Sequence, residues 1–290
     1  MKFKHKLIIG LFVLITIALI FYFIFIPIYL NDYSSAITDL LKNNTIKSVE
    51  ESHPEWLDKP LNLFYINTSH NTYLSSYQNL SMTTYSSIEN ALKLGAKCIE
   101  LDVHYKDNKL LVTHGNVNIQ TTNSLEFDKC LDVINNYGFN NSDPIILCLE
   151  LFVTDPIGQQ LLKSTLINKF NTKLLNADYK TNKVAFHDNF RNLLNKVIVI
   201  ANEKGFEDIN DNNLRYLYNK DDKYTANKED YLMMRIYPSP SVNQTLSINF
   251  DPEPFWKRKI NMIALNFQNK DANLYKNLKK FAKNSYVLIE

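Results

Sequence analysis

Two histidines, an asparagine and three carboxylates lie at or near the ends of consecutive strand-like segments of this chain: His70, Asn71, Glu100, Asp102, His114 and Glu150. Side chains alternate between the two faces of a strand, so Glu100 and Asp102 point to the same side. Carboxylates on one face, joined by an amide oxygen, suit a hard cation that takes oxygen ligands. The two histidines can then donate a proton and stabilise a phosphoryl group as its charge develops. The pattern predicts a metal-assisted site that acts on a phosphodiester.

Each of these residues also has a structural explanation when it is taken alone. A Ser-His-Asn sequence can cap a helix, and a Glu-x-Asp sequence can lie on a solvated strand edge. The intervening residues Ile99, Leu101 and Val103 are apolar, however, which indicates that the other face of the strand is covered. Buried acidic groups are costly unless they are paired or bind a metal, so the set as a whole favours catalysis. The remaining histidines have no such neighbours, although His104 could line the same face as Asp102.

Length and composition are those of one large α/β domain. The chain has 290 residues, of which 45% are hydrophobic, and α/β barrels commonly take about 200–250 residues as one domain. Its 32 basic and 30 acidic residues give a net charge of +2, so nothing in the composition points to nucleic acid. Three cysteines fit no disulfide framework. The strand positions of Cys98 and Cys148 predict small residues inside a barrel.

The amino terminus predicts a membrane anchor. Three lysines in the first six residues precede an apolar run from Leu7 to Leu30, which is longer than the apolar region of a signal peptide and long enough to cross a bilayer. We therefore expect a single N-terminal transmembrane helix within residues 1–30, with a cleaved signal peptide as the alternative. The positive-inside rule puts the amino terminus in the cytosol and the catalytic domain on the non-cytosolic side of the membrane. Residues 31–59 would form a tether.

Strand-like and helix-like segments alternate through the rest of the chain. The strand-like segments are 63–68, 98–103, 110–112, 145–151, 197–201, 233–237, 262–266 and 286–289. Eight strands with intervening helices predict an α/β fold, a (β/α)8 TIM-like barrel over residues 60–290, with the active site at the carboxyl ends of the strands. The polar stretch 205–230 interrupts the alternation.

Seven strings of residues follow one another in a distinctive order. They are YINTSHNTYL at 65–74, CIELD at 98–102, VTHG at 112–115, PIILCLE at 144–150, RIYP at 235–238, FDPEPFW at 250–256 and MIALNFQ at 262–268. In this order they resemble the phosphoinositide-specific phospholipase C family of the eukaryotic, calcium-dependent kind. Residues 60–204 look like the X region of that family and 231–290 like its Y region, with a short linker at 205–230. The resemblance covers roughly Pro60 to Glu290.

The resemblance implies a calcium-dependent phospholipase C that cleaves a membrane phosphatidylinositol lipid into diacylglycerol and a cyclic inositol phosphate. The Ca²⁺ ligands that it implies are Asn71, Glu100, Asp102 and Glu150. The catalytic residues that it implies are His70 as donor to the phosphoryl oxygens, His114 as proton donor to the leaving oxygen, and Glu100 as base, with Asp102 as the other candidate base. The residues that would hold the inositol headgroup are Arg235 and Tyr237.

The fifth predicted strand departs from the members that prefer the bisphosphate lipid, in which lysines at this strand end meet the ring phosphates. Ile200 and Asn202 stand where the two lysines are expected, with Glu203 beside them. Loss of two cations and gain of a carboxylate predict a preference for phosphatidylinositol or its monophosphate.

Two other functions remain open on the sequence alone. One is a catalytically silent, membrane-anchored module that binds phosphoinositides. The other is a related barrel phosphodiesterase that acts on a different glycerophospholipid. The presence of His70 and His114 argues against the silent module, because a binding protein needs no proton donor. Arg235 with Tyr237 favours an inositol headgroup.

Overall fold

A sheet of ten strands forms the centre of the computed structural model, which describes residues 2–20, 22, 33–78, 81–115, 123–175, 185–201, 214–218, 233–238 and 247–290. Side chains are described for these residues except 2–8 and 214–218. The strands are β1 (Phe64–Ser69), β2 (Cys98–Lys106), β3 (Lys109–Val112), β4 (Leu125–Glu126), β5 (Ile145–Phe152), β6 (Val197–Ala201), β7 (Leu214–Tyr218), β8 (Met233–Tyr237), β9 (Met262–Leu265) and β10 (Tyr286–Leu288).

Helices cover the outside of the sheet and connect its strands. The α-helices of the described residues are α1 (Lys2–Ile20), α2 (Ser34–Asn43), α3 (Val49–Ser52), α4 (Tyr85–Lys93), α5 (Phe127–Tyr137), α6 (Pro156–Phe170), α7 (Glu253–Lys257) and α8 (Ala272–Lys280). Local sequence fixes where α6 begins, because the Asp155 carboxylate accepts hydrogen bonds from the N–H groups of Ile157 and Gly158. Pro156 occupies the first helical position, where no N–H is needed.

Among the described residues, seven strands run parallel in the order β6, β5, β2, β1, β9, β8, β7. Strands β3 and β4 continue the sheet from β2 in antiparallel fashion, and β10 pairs antiparallel with the beginning of β1. Parallel strands joined by helical connections give the TIM-barrel-like α/β fold that the sequence predicts.

Two of the eight segments predicted as parallel barrel strands form antiparallel strands instead. The segments at 110–112 and 286–289 form the antiparallel strands β3 and β10, whereas the parallel strand β7 lies inside the predicted linker. The turn between β2 and β3 explains the first difference. Asp107 and Asn108 both have positive φ, at 49° and 59°, and such a two-residue turn can only join antiparallel neighbours.

The interior of the barrel and its outer wall are separate apolar layers. The outer layer lies between the strands and the helices and includes Ile99, Leu101 and Leu147. The inner layer is smaller, and it contains Cys98 and Cys148, both buried, with free thiols. The two cysteines therefore lie inside the barrel, as predicted. Alternation along β2 and β5 then places the carboxylates that follow these cysteines on the interior face.

Helix α1 does not confirm the predicted transmembrane helix. In the described part of the chain, no helix is both long enough and apolar enough to cross a membrane. The lysines occupy the beginning of α1, and the apolar residues 7–20 extend only about 21 Å at 1.5 Å per residue, against a hydrocarbon core of about 30 Å. Residues 21 and 23–32 of the predicted span lie outside the described residues.

The described part of the predicted tether is packed on the barrel. Ile37 of α2 is buried in the outer apolar layer, and α2 contacts α8. Ser48 begins α3 with a reciprocal pair of hydrogen bonds to Glu51, and the N–H of Val49 donates to Asp143 Oδ1 at 2.8 Å. Residues 33–59 thus pack against the barrel wall and against the end of the barrel at which its parallel strands begin. We refer to that end as the lower end. The domain boundaries drawn from the sequence stay predictions.

Candidate active site

The parallel register brings the predicted carboxylates together at one end of the barrel. Asp102 of β2 lies opposite Glu150 of β5, and Glu100 lies opposite Cys148 one layer deeper. Glu100 and Asp102 are buried, whereas Glu150 is exposed at the rim. His70 directly follows β1, which pairs with β2 and β9, so it reaches the same end. We refer to this end of the barrel as the mouth.

Glu100 is tied to a buried arginine. Arg235 Nη2 of β8 lies 2.9 Å from Glu100 Oε2, and the N–H of Asn71 donates to the same oxygen at 2.9 Å. Burial raises the pKa of Glu100, but the charge of Arg235, with the hydrogen bonds from Asn71 and Arg235, opposes it, and the net pKa lies below its usual range. Glu100 is therefore ionised, and its charge is balanced by Arg235 in the resting site.

His70 is buried and held by amides. Its Nδ1 lies 2.9 Å from Asn266 Oδ1, and its Nε2 lies 3.8 Å from Glu100 Oε2. Burial lowers the pKa of His70, and the nearby Glu100 carboxylate only partly opposes this. A neutral ring that donates from Nδ1 to Asn266 follows from these contacts.

His114 is more open and faces a carboxylate. Its Nδ1 lies 3.4 Å from Asp102 Oδ2 and 3.5 Å from the Tyr73 hydroxyl. Burial alone would lower the pKa of His114, but the hydrogen bond to Asp102 and the charges of Asp102, Glu150 and Glu100 raise it above its usual value. The ring is thus suited to hold a proton that it can donate.

Asn71 connects the two histidines. Its backbone is in the left-handed region with φ of 42°, which asparagine tolerates better than most residues. Its Nδ2 donates to Gln78 Oε1 at 2.7 Å and lies 3.4 Å from His114 Nδ1, while its Oδ1 accepts from the Tyr73 hydroxyl at 3.3 Å. The turn that places His70 in the mouth therefore also turns the Asn71 amide toward it.

The mouth has oxygen donors that fit a hard cation. Asp102 Oδ1 is buried and has no hydrogen-bond partner among the described residues. Desolvation and the charges of Asp102 and Glu100 raise the pKa of Glu150 to about 7, which is the expected effect of carboxylates that crowd one site. A cation would relieve that repulsion. No group of three or more His, Cys, Asp or Glu side chains already stands in a metal-binding arrangement in the described part of the chain, and Glu100 is engaged by Arg235.

Tyr237 lies at the opening of the mouth and is partly exposed. Its ring lies 6.4 Å from that of His70 at an angle of 17°, and the Arg235 guanidinium carbon lies 5.4 Å from its centroid. An aromatic face beside a cation and a histidine can cover one side of a ring-shaped headgroup. All eight residues singled out from the sequence thus reach one mouth.

Three residues of the mouth were missed by the sequence analysis as functional residues. They are Tyr73, Gln78 and Asn266, all buried and all hydrogen-bonded to the predicted site residues. Gln78 carries no signal in the sequence, because it lies in a loop without periodicity. Asn266 does, since it ends a buried strand-like run at the same edge where the other polar residues end theirs.

Two family descriptions match most of the chain. Residues 57–203 match "Phosphatidylinositol-specific phospholipase C, X domain", and residues 181–288 match the corresponding Y domain. The chain belongs to the phosphatidylinositol-specific phospholipase C family. The two matched stretches contain all eight predicted site residues, so the mouth lies within the part that this phospholipase C chain shares with the family.

Curated relatives match over parts of their length. The 1-phosphatidylinositol 4,5-bisphosphate phosphodiesterase of Dictyostelium discoideum is 39% identical over 106 residues, which are 36% of this chain and 13% of the relative. Inactive phospholipase C-like protein 2 of Homo sapiens is 38% identical over 96 residues, 32% of this chain and 8% of the relative. The chain therefore spans less than a fifth of these relatives, one of which is described as inactive.

Solved structures share the fold. PLC21 of L. pealei has a TM-score of 0.69 with 21% identity, covering 81% of this chain and 38% of that one. A calcium-dependent phosphoinositol-specific phospholipase C from Pseudomonas sp has a TM-score of 0.55 with 14% identity, covering 79% of this chain and 97% of that one. Both likenesses support the barrel architecture.

Proposed function

We propose that this protein is a calcium-assisted phosphoinositide phospholipase C, which cleaves a phosphatidylinositol lipid into diacylglycerol and an inositol phosphate, in part cyclic. One observation carries the proposal. Two histidines, three carboxylates and Arg235 meet in a single barrel mouth, and Asp102 Oδ1 is left buried there without a hydrogen-bond partner among the described residues. Family membership agrees with it.

Asn71, Asp102 and Glu150 would offer oxygens to Ca²⁺, and Glu100 would be available as a further ligand if Arg235 paired with the substrate instead. When bound, the ion supplies positive charge that lowers the pKa of the inositol 2-hydroxyl and stabilises the phosphate. The donor set consists of carboxylate and amide oxygens, the ligands that Ca²⁺ prefers.

Glu100 is the candidate base of the site, with Asp102 as the other candidate. Glu100 was the base implied by the resemblance, and its lowered pKa and contact with Arg235 weaken it in the resting site. A headgroup that draws the Arg235 guanidinium away frees Glu100 Oε2 to accept the hydroxyl proton.

His70 and His114 divide the remaining tasks. The oxygen that has lost its proton attacks phosphorus, and the bond to the diacylglycerol oxygen breaks as His114 gives that oxygen its proton. His70 keeps Nδ1 on Asn266, so it donates to a phosphoryl oxygen from Nε2 once the ring is doubly protonated. The negative phosphate and Glu100 favour that state. Arg235 and Tyr237 would hold the inositol ring by charge and by stacking.

An assay on lipid vesicles tests the proposed function. The full chain is incubated with vesicles that contain phosphatidylinositol or its phosphorylated forms, with calcium or with excess chelator, and diacylglycerol is measured. Release of diacylglycerol that requires calcium, and that is lost in a His114→Ala variant, supports the proposal. Binding to the vesicles without any release would favour the silent module, and release from vesicles that contain only other glycerophospholipids would favour the related phosphodiesterase.

The location remains a proposal that rests on the first 30 residues. The apolar side chains of α1 from Ile9 to Ile20 are exposed, among them Phe12 and Leu14, and an exposed apolar surface of this size favours contact with lipid. We place the protein at a membrane with the barrel on the non-cytosolic side.

A glycosylation test checks this orientation. Asn43 in Asn43-Asn44-Thr45 is exposed and would accept a glycan on the non-cytosolic side. Treatment with a glycosidase should then shift the gel mobility of protein expressed through the secretory pathway. Asn79 lies outside the described residues.

A further inference from the structure

Gln78 is a buried amide that touches both halves of the mouth. Its Oε1 accepts a hydrogen bond from Asn71 Nδ2 at 2.7 Å, and its Nε2 donates to Asn266 Oδ1 at 2.8 Å. The same nitrogen lies 3.3 Å from His70 Nδ1. A single side chain therefore contacts three residues of the mouth. They are Asn71, the proposed cation ligand, His70, the proposed hydrogen-bond donor to the phosphoryl group, and Asn266, the hydrogen-bond partner of His70.

The first contact sets the direction of the Asn71 amide. Because Gln78 holds Nδ2, the oxygen of that amide points the other way, where it accepts from Tyr73. A flipped amide would present N–H groups to the carboxylates of the mouth instead of an oxygen to a cation. Gln78 thus decides which of the two amide atoms Asn71 offers.

The second contact sets the tautomer of His70. Gln78 Nε2 and His70 Nδ1 both lie within hydrogen-bond distance of Asn266 Oδ1, and one carbonyl oxygen can accept both bonds. Because Gln78 Nε2 donates to Asn266 Oδ1 at 2.8 Å, and lies farther from His70 Nδ1 at 3.3 Å, Asn266 keeps its oxygen toward His70. The hydrogen of the neutral ring is therefore on Nδ1, which leaves Nε2 toward Glu100.

We propose that Gln78 is a positioning residue of the phospholipase site, whose one amide group fixes both the direction of the Asn71 oxygen and the tautomer of His70. Its role in turnover rests on the proposed function, whereas its role in the resting site does not. Partners of this kind, one step removed from a metal or catalytic group, typically change activity or affinity by 10- to 100-fold when they are replaced.

The loop that carries Gln78 has other fixed points. Leu74 pairs with Thr83, the N–H of Ser75 donates to Met82, and Ser247 Oγ donates to the carbonyl of Ser76 at 3.0 Å. A change at Gln78 therefore leaves the path of the loop supported by its backbone. This separates a positioning role from a role in building the loop.

Two variants separate the two contacts. Gln78→Met is close in shape and removes both hydrogen bonds. Gln78→Glu keeps an acceptor for Asn71 but removes the donor to Asn266. The matched control is Gln159→Met, since Gln159 lies on α6, away from the mouth, and its side-chain amide donates to the carbonyl of Val153 at 3.1 Å.

The test combines histidine NMR of the calcium-free full chain with kinetics and calcium titration. With ¹⁵N-labelled histidine, His70 in the wild type should show the tautomer with hydrogen on Nδ1, and both Gln78 variants should lose it. Gln78→Met should also weaken calcium binding and lower kcat by about 10- to 100-fold, with KM for lipid changed by less than about threefold. Calcium binding should not weaken in Gln78→Glu.

The outcomes are separable from those of the proposed function. Unchanged His70 signals in both variants would overturn the inference, and so would an equal loss in Gln159→Met. If the wild type hydrolyses no inositol lipid while the His70 tautomer still depends on Gln78, the proposed function fails and the positioning role in the resting site stands.

Discussion

His70 and His114 open into the same mouth, yet their surroundings favour opposite charge states. Burial lowers the pKa of His70 and leaves its ring neutral. Burial acts on His114 in the same direction, but the hydrogen bond to Asp102 and three carboxylate charges raise its pKa. Environments that push the pKa values of two titratable groups apart are the usual basis for assigning acid and base roles in an active site. The proton for the leaving oxygen is therefore assigned to His114.

We expect His114→Ala to lower kcat on lipid by about 10²- to 10⁴-fold, the usual contribution of a general acid. The loss should shrink on an inositol phosphodiester with a nitrophenol leaving group, because that group departs without a proton. Kinetics on both substrates measure the difference, with His187→Ala as the control at an exposed histidine. Equal losses on the two substrates would exclude the proton-donor role.

The chemistry of single residues was more predictable than their hydrogen-bond partners. His70 could be found because it directly follows a strand-like segment, and Arg235 because it lies in a string of residues that resembles the family. The pairing of Arg235 with Glu100 could not be found, since it joins strands that are far apart in sequence and depends on barrel curvature. Gln78 could not be found either, because a loop glutamine has no pattern that distinguishes it from a solvated one.

At the scale of elements, α6 packs so closely on β2 that it requires a glycine. A Cβ built on Gly158 would lie 2.6 Å from Tyr105 Cγ and 2.9 Å from Val153 Cγ1. Both neighbours are attached close to the backbone and cannot move away at low cost. The helix can therefore approach the strand that carries Glu100 and Asp102 only without a side chain at this position.

We expect Gly158→Ala to lower the free energy of unfolding by about 1–3 kcal/mol, the usual effect of overpacking. The matched control is Gly10→Ala in α1, where a Cβ meets nothing within 4 Å. Urea denaturation of both variants measures the difference. A Gly158→Ala protein as stable as the wild type would show that Tyr105 moves aside.

The lower end of the barrel contains a carboxylate that is buried without a full set of partners. Asp143 Oδ1 accepts from the N–H of Val49, and Oδ2 has no partner among the described residues. Burial, with the charges of Glu51 and Glu50, raises the pKa of Asp143 to about 6, and Lys97 opposes this only in part. The folded state therefore binds this proton more tightly than the unfolded state does.

The stability that Asp143 contributes is present below pH 3.8, its ordinary pKa, and is lost as the pH rises through about 6. Asp143→Asn keeps an oxygen for Val49 and removes the titration. We expect its unfolding free energy, relative to the wild type, to rise by about 3 kcal/mol between pH 3.5 and pH 7. Urea denaturation across that pH range measures the difference. If the unfolding free energies of the wild type and Asp143→Asn change with pH in parallel, the assignment is contradicted.

Which elements form was more predictable than how they pair. Apolar runs mark β1, β2, β5, β6, β8 and β9 because these strands are covered on both faces. The direction of a strand is set by the connection that leads into it. The Asp107-Asn108 turn before β3 is only two residues long, so β3 runs antiparallel to β2. Strand β7 lies in a polar stretch of the sequence, so the hydrophobic pattern that reveals its neighbours is weak there.

At the scale of the whole molecule, the barrel end near β6 bears on which lipid is used. Ile200 is buried in the inner apolar layer, with 1% of its surface exposed, and Asn202, Glu203 and Lys204 lie outside the described residues. We still expect phosphatidylinositol or its monophosphate to be the better substrate, because Ile200 cannot pair with a ring phosphate. Hydrolysis rates on matched vesicles test this. A rate on the 4,5-bisphosphate about a hundredfold higher, on the order of 3 kcal/mol in the barrier, would contradict it.

The chain joins the barrel wall at Tyr33, whose ring lies 5.4 Å from that of Tyr275. Tyr275 belongs to the first turns of α8, which follows the carboxyl end of β9, while residues 47–49 reach the opposite end of the barrel. Tyr33 therefore lies on the side of the mouth. If residues 1–30 anchor the protein in a bilayer, as proposed, the catalytic opening lies close to the same bilayer. Such an enzyme would move along its own membrane from one lipid to the next, and it would reach vesicles that lack the enzyme only slowly.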